Sequence, residues 1–300
     1  MTDQTSLRSV LYVPANNARA VEKVIVSASA LDADAVVFDL EDAVAPGQKR
    51  TARETLRNVL KTKRPACRIL IRINALDSEW GTEDFLAALA MSPDAIVLPK
   101  VESAGDVDAA LSACEASDAA SSLRLWAMIE SPMAVLNLAQ IASRAEADNG
   151  RLEALMLGTN DLSLATGVPL AAGRAAYLPW IMQCVAAARA YGLSIVDGVY
   201  TALENGPEFE AECLQGAQLG LDGKSLIHPK QVSVCNAAFT PDAEAIAEAK
   251  AICAAFDDPA NAGIAVLTVE NKMVEFLHLK AARRTLSKAG ILTKYSPIGE

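Results

Sequence analysis

The chain has 300 residues, of which 52% are hydrophobic and 21% are charged. This balance predicts a globular protein with a large core and excludes a chain that is disordered throughout. The net charge of −10 argues against nucleic acid or an anionic membrane as the main partner, since both need a basic surface. No apolar run is long enough to span a bilayer and the N-terminus does not look like a signal peptide, so we expect a cytoplasmic protein.

A metal site in this chain is expected to use oxygen ligands. There are six cysteines, none spaced as CxxC, and only two histidines, which argues against the usual zinc site of Cys and His. We expect the cysteines to be free thiols, most of them buried, in a reducing compartment. Carboxylates remain as ligands, and they favour Mg²⁺ or a similar hard cation.

Short apolar runs with many β-branched residues alternate with Ala-rich stretches of helical periodicity. The predicted strands cover residues 9–13, 35–39, 68–73, 95–98, 123–129, 152–157, 193–196 and, less clearly, 223–227. The predicted helices include residues 17–31, 48–60, 83–91, 104–116, 133–147, 175–191 and 208–219. Strands that alternate with helices in this way predict an α/β fold, a closed parallel (β/α)8 TIM barrel.

The chain continues beyond the last predicted strand. Two extra C-terminal helices are predicted near residues 242–256 and 273–289. We therefore assign residues 1–235 to the barrel and residues 236–300 to a helical extension that packs on the barrel or on a neighbouring subunit. An open doubly wound sheet is the alternative, but its nucleotide-binding form needs a glycine-rich turn where Pro14, Ala15 and Asn16 stand.

Polar residues are concentrated where the predicted strands end. In a parallel barrel these ends share one face, which is the face that carries active sites. The residues are Asp39, Glu41, Asp42, Arg72, Asn74, Lys100, Glu130, Asn160, Asp161, Asp197 and His228. Their convergence predicts a polar site. Within it, Lys100 could reach a phosphate or a strand-end carboxylate or remain solvated, and His228 is expected to be a packed or capping residue.

Glu130 and Asp161 are the predicted metal ligands. Glu130 ends the fifth predicted strand and Asp161 follows the sixth, so their carboxylates should lie close together. Two protein carboxylates, with water and substrate completing the shell, are typical of Mg²⁺. The structural alternatives are a carboxylate that stabilises a helix N-terminus at Glu130 and an Asx-turn at Asp161.

Arg72 is the predicted anion-binding residue. A buried arginine on a strand needs a partner, so it either forms a salt bridge with Glu41 or Asp42 or binds a substrate carboxylate, and both can hold in turn. We expect Asp39 to be structural. Glu41 or Asp42 could accept hydrogen bonds from water on the metal.

Seven motifs, in order along the chain, resemble those of a known family. They are residues 9–14 (SVLYVP), 39–44 (DLEDAV), 72–74 (RIN), 98–100 (LPK), 129–131 (IES), 158–162 (GTNDL) and 223–229 (GKSLIHP). Over essentially its whole length the chain resembles the citrate lyase beta-subunit-like proteins of the HpcH/HpaI aldolase superfamily, with malyl-CoA and citramalyl-CoA lyases as relatives. The resemblance implies a (β/α)8 barrel, Mg²⁺ and a homotrimer or a multiple of one.

The resemblance also implies a reaction, the reversible cleavage of a 3-hydroxyacyl thioester into an acyl thioester and a 2-keto acid. The coenzyme A thioester is then a substrate and not a bound cofactor. One alternative is a pyruvate-class metal aldolase, which shares the metal and the arginine but needs no thioester carrier. Another is a non-catalytic homologue kept as a binding subunit.

Five residues match positions that the family uses at its active site. Glu130 and Asp161 match the metal ligands, and Arg72 matches the arginine that binds the carboxylate and the carbonyl. Glu41 and Asp42 match the acidic groups behind the metal. The resemblance thus implies that Glu41 and Arg72 are catalytic and that Arg72 and Asp42 bind substrate.

Other matched positions lie outside this group or depart from the pattern. Arg19 and Lys49 fall where the family meets the thioester carrier. Ala15 replaces the usual glycine, and since alanine resists positive φ, that loop could be tighter or shifted. Relatives carry an Asp near the C-terminus that enters a neighbouring active site as an acid or base. Glu275 stands there with one methylene more and without the following proline, which argues against thioester hydrolysis or malate-synthase-like condensation.

Overall fold

A computed structural model describes residues 6–170, 173–202 and 206–291 of the chain. Eight parallel strands form a closed barrel in chain order, and the eighth pairs back to the first. The strands are β1 Ser9–Pro14, β2 Ala35–Asp39, β3 Arg68–Arg72, β4 Ala95–Leu98, β5 Arg124–Ile129, β6 Leu152–Leu157, β7 Ser194–Asp197 and β8 Gly223–Leu226. The predicted barrel is confirmed, including the less clear eighth strand.

Helices follow every strand of the barrel. They are α1 Ala18–Leu31, α2 Lys49–Thr62, α3 Gly81–Ala90, α4 Ala104–Ala116, α5 Pro132–Leu136, α6 Leu138–Ala142, α7 Thr159–Thr166, α8 Leu178–Ala190, α9 Pro207–Gln218 and α10 Gln231–Phe239. The predicted helix 133–147 is interrupted at Asn137, where α5 ends, and its last turn is a 3-10 helix. The short helices α7 and α10 were not predicted, since so few turns give little periodicity to recognise.

Most residues of the strands are apolar because the strands are buried on both faces. Val10, Val37 and Trp126 point into the barrel, where they form an inner cluster. Val36 and Phe38 belong to the larger cluster between the strands and the helices. All five are fully buried, and burial of apolar area is the dominant stabilising contribution in such a fold. The polar strand ends are thereby left as the part of the barrel that can meet a ligand.

The barrel ends later than the predicted boundary at residue 235. That boundary lies inside α10, which packs against α9, β8 and β1 and so completes the ring of helices. The extension then consists of α11 Ala243–Asp257, β9 Val266–Val269, β10 Lys272–Glu275 and α12 Phe276–Lys288. It has an apolar cluster of its own, formed by residues such as Ile252, Phe256, Val274 and Leu279.

A hairpin replaces the start of the predicted helix 273–289. Strands β9 and β10 are antiparallel, and the two residues that join them, Glu270 and Asn271, both have positive φ, 49° and 65°. A two-residue turn of this kind matches the twist of a hairpin, which favours strand pairing over helix. Helix α12 therefore begins only at Phe276, and Glu275 ends the hairpin.

The six cysteines are free, and all but the half-buried Cys67 are buried, as predicted. Among the described residues, none of the helices has the length and apolar character needed to cross a membrane.

Candidate active site

Two cavities open at the carboxyl ends of the strands, where the sequence predicts the site. The central cavity, of about 420 Å³, is lined by residues that include Tyr12, Asp42, Arg72, Gly158 and Asp161. The side cavity, of about 510 Å³, is lined by residues that include Asn74, Lys100, Glu130 and Asp161. Asp161 is common to both linings, so the predicted metal ligands lie where the two cavities meet.

Glu130 follows β5 directly and is buried. Its Oε1 accepts a hydrogen bond of 2.6 Å from the peptide nitrogen of Lys100. The N-cap of α5 is Ser131, whose side chain accepts from the nitrogen of Ala134. A capping role therefore does not account for the Glu130 carboxylate.

Gly158 makes room for Glu130. A Cβ at position 158 would lie 2.3 Å from Glu130 Cβ and 2.7 Å from its Oε2, closer than atoms can approach. The carboxylate thus fills the space that a side chain on the neighbouring strand end would take. Burial, together with the charges of Glu41 and Asp161, raises the pKa of Glu130 to about 7. A buried carboxylate with this shift has too little positive charge around it, which is the environment that a bound cation relieves.

Asp161 lies in the first turn of α7, which starts immediately after β6. It is a helical residue, so the Asx-turn alternative does not describe it. Within the described residues, no group of three or more His, Cys, Asp and Glu side chains is arranged to hold a metal. A metal at this place would have Glu130 and Asp161 as its carboxylate ligands and would complete its shell with water or substrate, as Mg²⁺ commonly does.

Arg72 forms the internal salt bridge, but mainly with Asp39. Its Nε lies 2.7 Å from Asp39 Oδ1 and its Nη2 lies 2.6 Å from Oδ2. The same carboxylate accepts from the peptide nitrogens of Glu41 and Ala43. The structural role expected for Asp39 is thus observed: it fixes both the arginine and the loop that carries Glu41.

The third guanidinium nitrogen, Nη1, is held less firmly. It lies 3.0 Å from Glu41 Oε2 and 3.9 Å from Asp42 Oδ2. The guanidinium carbon is 5.1 Å from the centre of the Tyr12 ring, a cation–π contact. Burial alone would lower the pKa of Arg72, but the hydrogen bonds and charge of Asp39 outweigh it and raise the pKa well above its ordinary value. Arg72 is therefore a permanent cation beside the central cavity.

Glu41 is a buried carboxylate between two cations. Its Oε1 lies 2.9 Å from Lys100 Nζ and its Oε2 lies 3.0 Å from Arg72 Nη1. Each oxygen is thus paired with one cation, and because a carboxylate oxygen can accept more than one hydrogen bond, both retain the capacity to accept from a ligand. Burial raises the pKa of Glu41 despite the opposing charge of Arg72, and Asp42 beside it is exposed.

Lys49 does not lie where it was expected. The lysine is buried, and its ammonium donates to the carbonyl oxygens of Leu40 and Glu41 and to Oδ1 of Asn74, at 2.7–2.9 Å. These three acceptors use all three of its protons. The structure therefore contradicts a contact between Lys49 and a thioester carrier, and shows Lys49 as the residue that fastens the loop after β2. Arg19, in contrast, is exposed in the first turn of α1.

Glu275 lines neither of the two cavities. It occupies the N-cap position of α12, and its peptide nitrogen donates to Nδ1 of His278 at 3.0 Å. A role in the site of another subunit stays a prediction.

Asp197 is a strand-end residue that lines neither of the two cavities. It is fully buried, and its oxygens bind Arg174 at 2.8 Å and Lys224 at 3.0 Å. Lys224 also donates to Glu212 of α9. This buried cluster joins α9 to strands β7 and β8. The sequence places Lys224 in a predicted strand, but its spacing from Asp197 and Glu212 did not indicate that the three side chains meet.

His228 has the capping role that was expected, since its Nδ1 accepts from the peptide nitrogen of Lys230.

Tyr12 is a site residue that sequence reasoning missed. Its hydroxyl donates to the sulfur of Met156, and its ring carries the Arg72 contact. A tyrosine within an apolar strand gave no signal of this.

The chain is similar to known proteins over nearly its whole length. Residues 8–229 match the family described as HpcH/HpaI aldolase/citrate lyase. The (3S)-malyl-CoA thioesterase of Cereibacter sphaeroides is 41% identical over 289 residues, 96% of each chain. Citrate lyase subunit beta of Escherichia coli is 34% identical over 297 residues, 94% of this chain and 93% of that one. Protein CitE of Mycobacterium tuberculosis, crystallised with magnesium, acetoacetate and coenzyme A, aligns with a TM-score of 0.70 at 27% identity and covers 96% of this chain and 100% of that one.

Proposed function

The chain belongs to the HpcH/HpaI aldolase/citrate lyase family and is a carbon–carbon lyase, and from that premise we propose its reaction. It cleaves, or forms, a 3-hydroxyacyl thioester such as malyl-CoA, citramalyl-CoA or a citryl thioester, giving an acyl thioester and a 2-keto acid. The observation that carries the proposal is the position of Glu130 and Asp161 at adjacent strand ends, with the buried cation Arg72 in the lining of the central cavity that Asp161 shares.

Glu130 and Asp161 are the residues that would hold Mg²⁺. Two carboxylates fit a hard cation, and the raised pKa of Glu130 fits a place that lacks positive charge. The relative from Mycobacterium tuberculosis, crystallised with magnesium, supports this assignment. When bound, the metal supplies Lewis-acid stabilisation of the negative charge that develops on the substrate oxygen.

Arg72 binds the substrate carboxylate. Asp39 occupies Nε and Nη2, so Nη1 is the nitrogen that can turn from Glu41 to a ligand. A planar guanidinium held on one side presents its free donor in a fixed direction, which favours recognition of a carboxylate. The same cation stabilises negative charge on the carbonyl oxygen that forms.

The bond changes follow from this placement. In the cleavage direction the substrate hydroxyl loses its proton, the bond between carbons 2 and 3 breaks, and its electron pair remains on carbon 2 as the enolate of the acyl thioester. Glu41, buried beside Arg72, takes the hydroxyl proton. Glu275 of a neighbouring copy delivers a proton to the enolate. The reverse direction uses the same groups in opposite order.

The proposal includes a homotrimer or a multiple of one. Four large apolar side chains of the extension are between 45% and 65% exposed: Val266, Met273, Phe276 and Leu277. They lie on the hairpin and the first turn of α12, next to Glu275. Exposed apolar groups in one segment are typical of an interface, which supports a neighbour at the place where Glu275 would enter its cavity.

Hydrolysis of the thioester is the second candidate, because the relative from Cereibacter sphaeroides is named as a malyl-CoA thioesterase and is 41% identical. In that reaction water attacks the thioester carbonyl, and the products are the free hydroxy acid and coenzyme A. Lyase and hydrolase would share the metal ligands and Arg72.

Product analysis separates the two. Malyl-CoA, citramalyl-CoA and hydroxymethylglutaryl-CoA are incubated with the enzyme and Mg²⁺, and keto acid and free thiol are measured together. Cleavage gives one keto acid and no free thiol per molecule consumed, whereas hydrolysis gives one free thiol and no keto acid. Glu130→Ala and a chelator should abolish turnover. Full lyase activity of Glu130→Ala would overturn the proposed metal mechanism, and binding of a keto acid without any binding of coenzyme A would favour the carrier-free aldolase.

A further inference from the structure

Lys100 touches two parts of the site at once. It follows β4 after Pro99, and its backbone is left-handed, with φ of 53°. Its peptide nitrogen donates to Glu130 Oε1, while its ammonium lies 2.9 Å from Glu41 Oε1. One residue thereby links the loop after β2 to the end of β5.

Lys100 makes both contacts from a left-handed backbone. This conformation costs a non-glycine residue about 1 kcal/mol or more, and glycine adopts it without that cost. Lysine nevertheless occupies the position, with an ammonium that pairs with a buried carboxylate although the lysine side chain is itself 59% exposed. An exposed ion pair contributes little to stability, so stability alone is a weak reason for a lysine here.

The two cations on Glu41 differ in what else they can do. Arg72 is fixed by Asp39 and lines the central cavity, so its Nη1 must leave Glu41 when a substrate carboxylate arrives. Lys100 lines the side cavity and can remain on Glu41 after that exchange. Without the ammonium, Arg72 would be the only cation on a buried carboxylate, and its release would leave that charge unpaired, which is costly.

We propose that Lys100 is a positioning residue that retains Glu41 so that Arg72 is free to bind the substrate carboxylate, while its peptide nitrogen orients Glu130. The inference rests on the proposed lyase function and deepens it. Lys100 touches neither the reacting carbons nor the metal in this account, and acts through Glu41, Arg72 and Glu130.

Lys100→Gly separates the two contacts. Glycine keeps the peptide nitrogen and the left-handed backbone, so Glu130 should stay in place and Mn²⁺ affinity, measured by electron paramagnetic resonance, should stay close to that of the wild type. The ammonium is lost, so KM for the thioester should rise about tenfold or more because release of Arg72 would then leave the buried Glu41 carboxylate without any cation. Lys100→Arg should restore KM.

A matched control tests the backbone change itself. Ser92 has φ of 49° and follows α3 on the opposite side of the barrel from the site, so Ser92→Gly relieves the same kind of strain without touching the site. It should leave KM unchanged.

The crystal structure of Lys100→Gly gives a readout that does not depend on activity. Glu41 should move from its present position, away from residue 100 and closer to Nη1 of Arg72. An unmoved Glu41 together with an unchanged KM would overturn the inference, and so would a large loss of Mn²⁺ affinity in Lys100→Gly with no change in KM. A wild-type enzyme that neither binds Mn²⁺ nor cleaves any thioester would instead contradict the proposed function, independently of the position of Glu41.

Discussion

Strand β2 has a bidentate Asp–Arg pair at each end, and the two pairs serve different purposes. Asp34, just before the strand, binds Nε and Nη2 of Arg8 at 3.0 and 2.8 Å. Asp39, at the carboxyl end, binds the same two nitrogens of Arg72. The second pair lines the central cavity. The same pairing therefore holds the barrel together at one end and orients the proposed substrate-binding cation at the other.

Asp39→Asn should impair both stability and activity. The asparagine keeps the shape of the side chain but leaves Arg72 without its main counter-charge, so we expect kcat/KM to fall by about a hundredfold through misplacement of the guanidinium. Asp34→Asn is the matched control: it should lower the free energy of unfolding in urea and leave kcat/KM close to the wild type. A normal kcat/KM in Asp39→Asn would contradict the role given to Arg72.

Gly158→Ala should displace Glu130, the proposed metal ligand. The added Cβ overlaps Glu130, so the carboxylate must move, and overpacking of this kind costs about 1–3 kcal/mol. We expect Mn²⁺ affinity and lyase turnover to fall together. Gly47→Ala is the control, since a Cβ there meets nothing within 4 Å. Unchanged metal affinity in Gly158→Ala would show that Glu130 tolerates displacement and argue against its role as a ligand.

At the scale of elements, the buried cluster around Asp197 joins β7, β8 and α9 beneath the site. Burial alone would raise the pKa of Asp197, but the charges of Lys224 and Arg174 outweigh it and lower the pKa below its ordinary value. Since the folded pKa lies below the unfolded one, the stabilisation is present above the unfolded pKa of about 3.9 and is lost as pH falls through the folded value.

The effect of Asp197→Asn should therefore depend on pH. At pH 7 the variant loses the charge that pairs Lys224, and the free energy of unfolding should drop by about 3 kcal/mol. As pH falls from about 4 toward the lower pKa of the folded protein, the stabilisation from this charge in the wild type is lost, so the difference between the two proteins should shrink. Urea unfolding of both across this range is the measurement, and a difference that persists undiminished to the lowest pH would contradict the account.

At the scale of the whole molecule, the barrel could be predicted because its signals are local. Each strand is a short apolar run followed by a polar residue, and that pattern located Glu130, Asp161 and Arg72 at one face. The hairpin could not be predicted, because its turn of Glu270 and Asn271 lacks the glycine that usually marks one. The prediction for Lys49 was wrong for another reason. Its hydrogen-bond acceptors are two backbone oxygens and a side-chain amide, which only folding brings close to it.

The proposed oligomer predicts complementation between inactive subunits. If Glu275 serves a neighbouring barrel, oligomers co-expressed from Glu130→Gln and Glu275→Gln chains contain sites with an intact barrel and an intact neighbour. Random mixing in equal amounts should restore roughly one quarter of the wild-type turnover. Glu130→Gln mixed with Asp161→Asn is the control and should recover nothing, because both defects lie within one barrel. No recovery in the first mixture would place Glu275 in its own subunit or outside catalysis.

Mn²⁺ titration of the wild type, Glu130→Gln and Asp161→Asn, followed by electron paramagnetic resonance, tests whether Glu130 and Asp161 together hold the divalent metal. We expect one site per wild-type chain and affinity lower by about a hundredfold or more in each variant, because each loses one of the two proposed carboxylate ligands. Circular dichroism should show that both variants remain folded. Wild-type affinity in either variant would contradict the account.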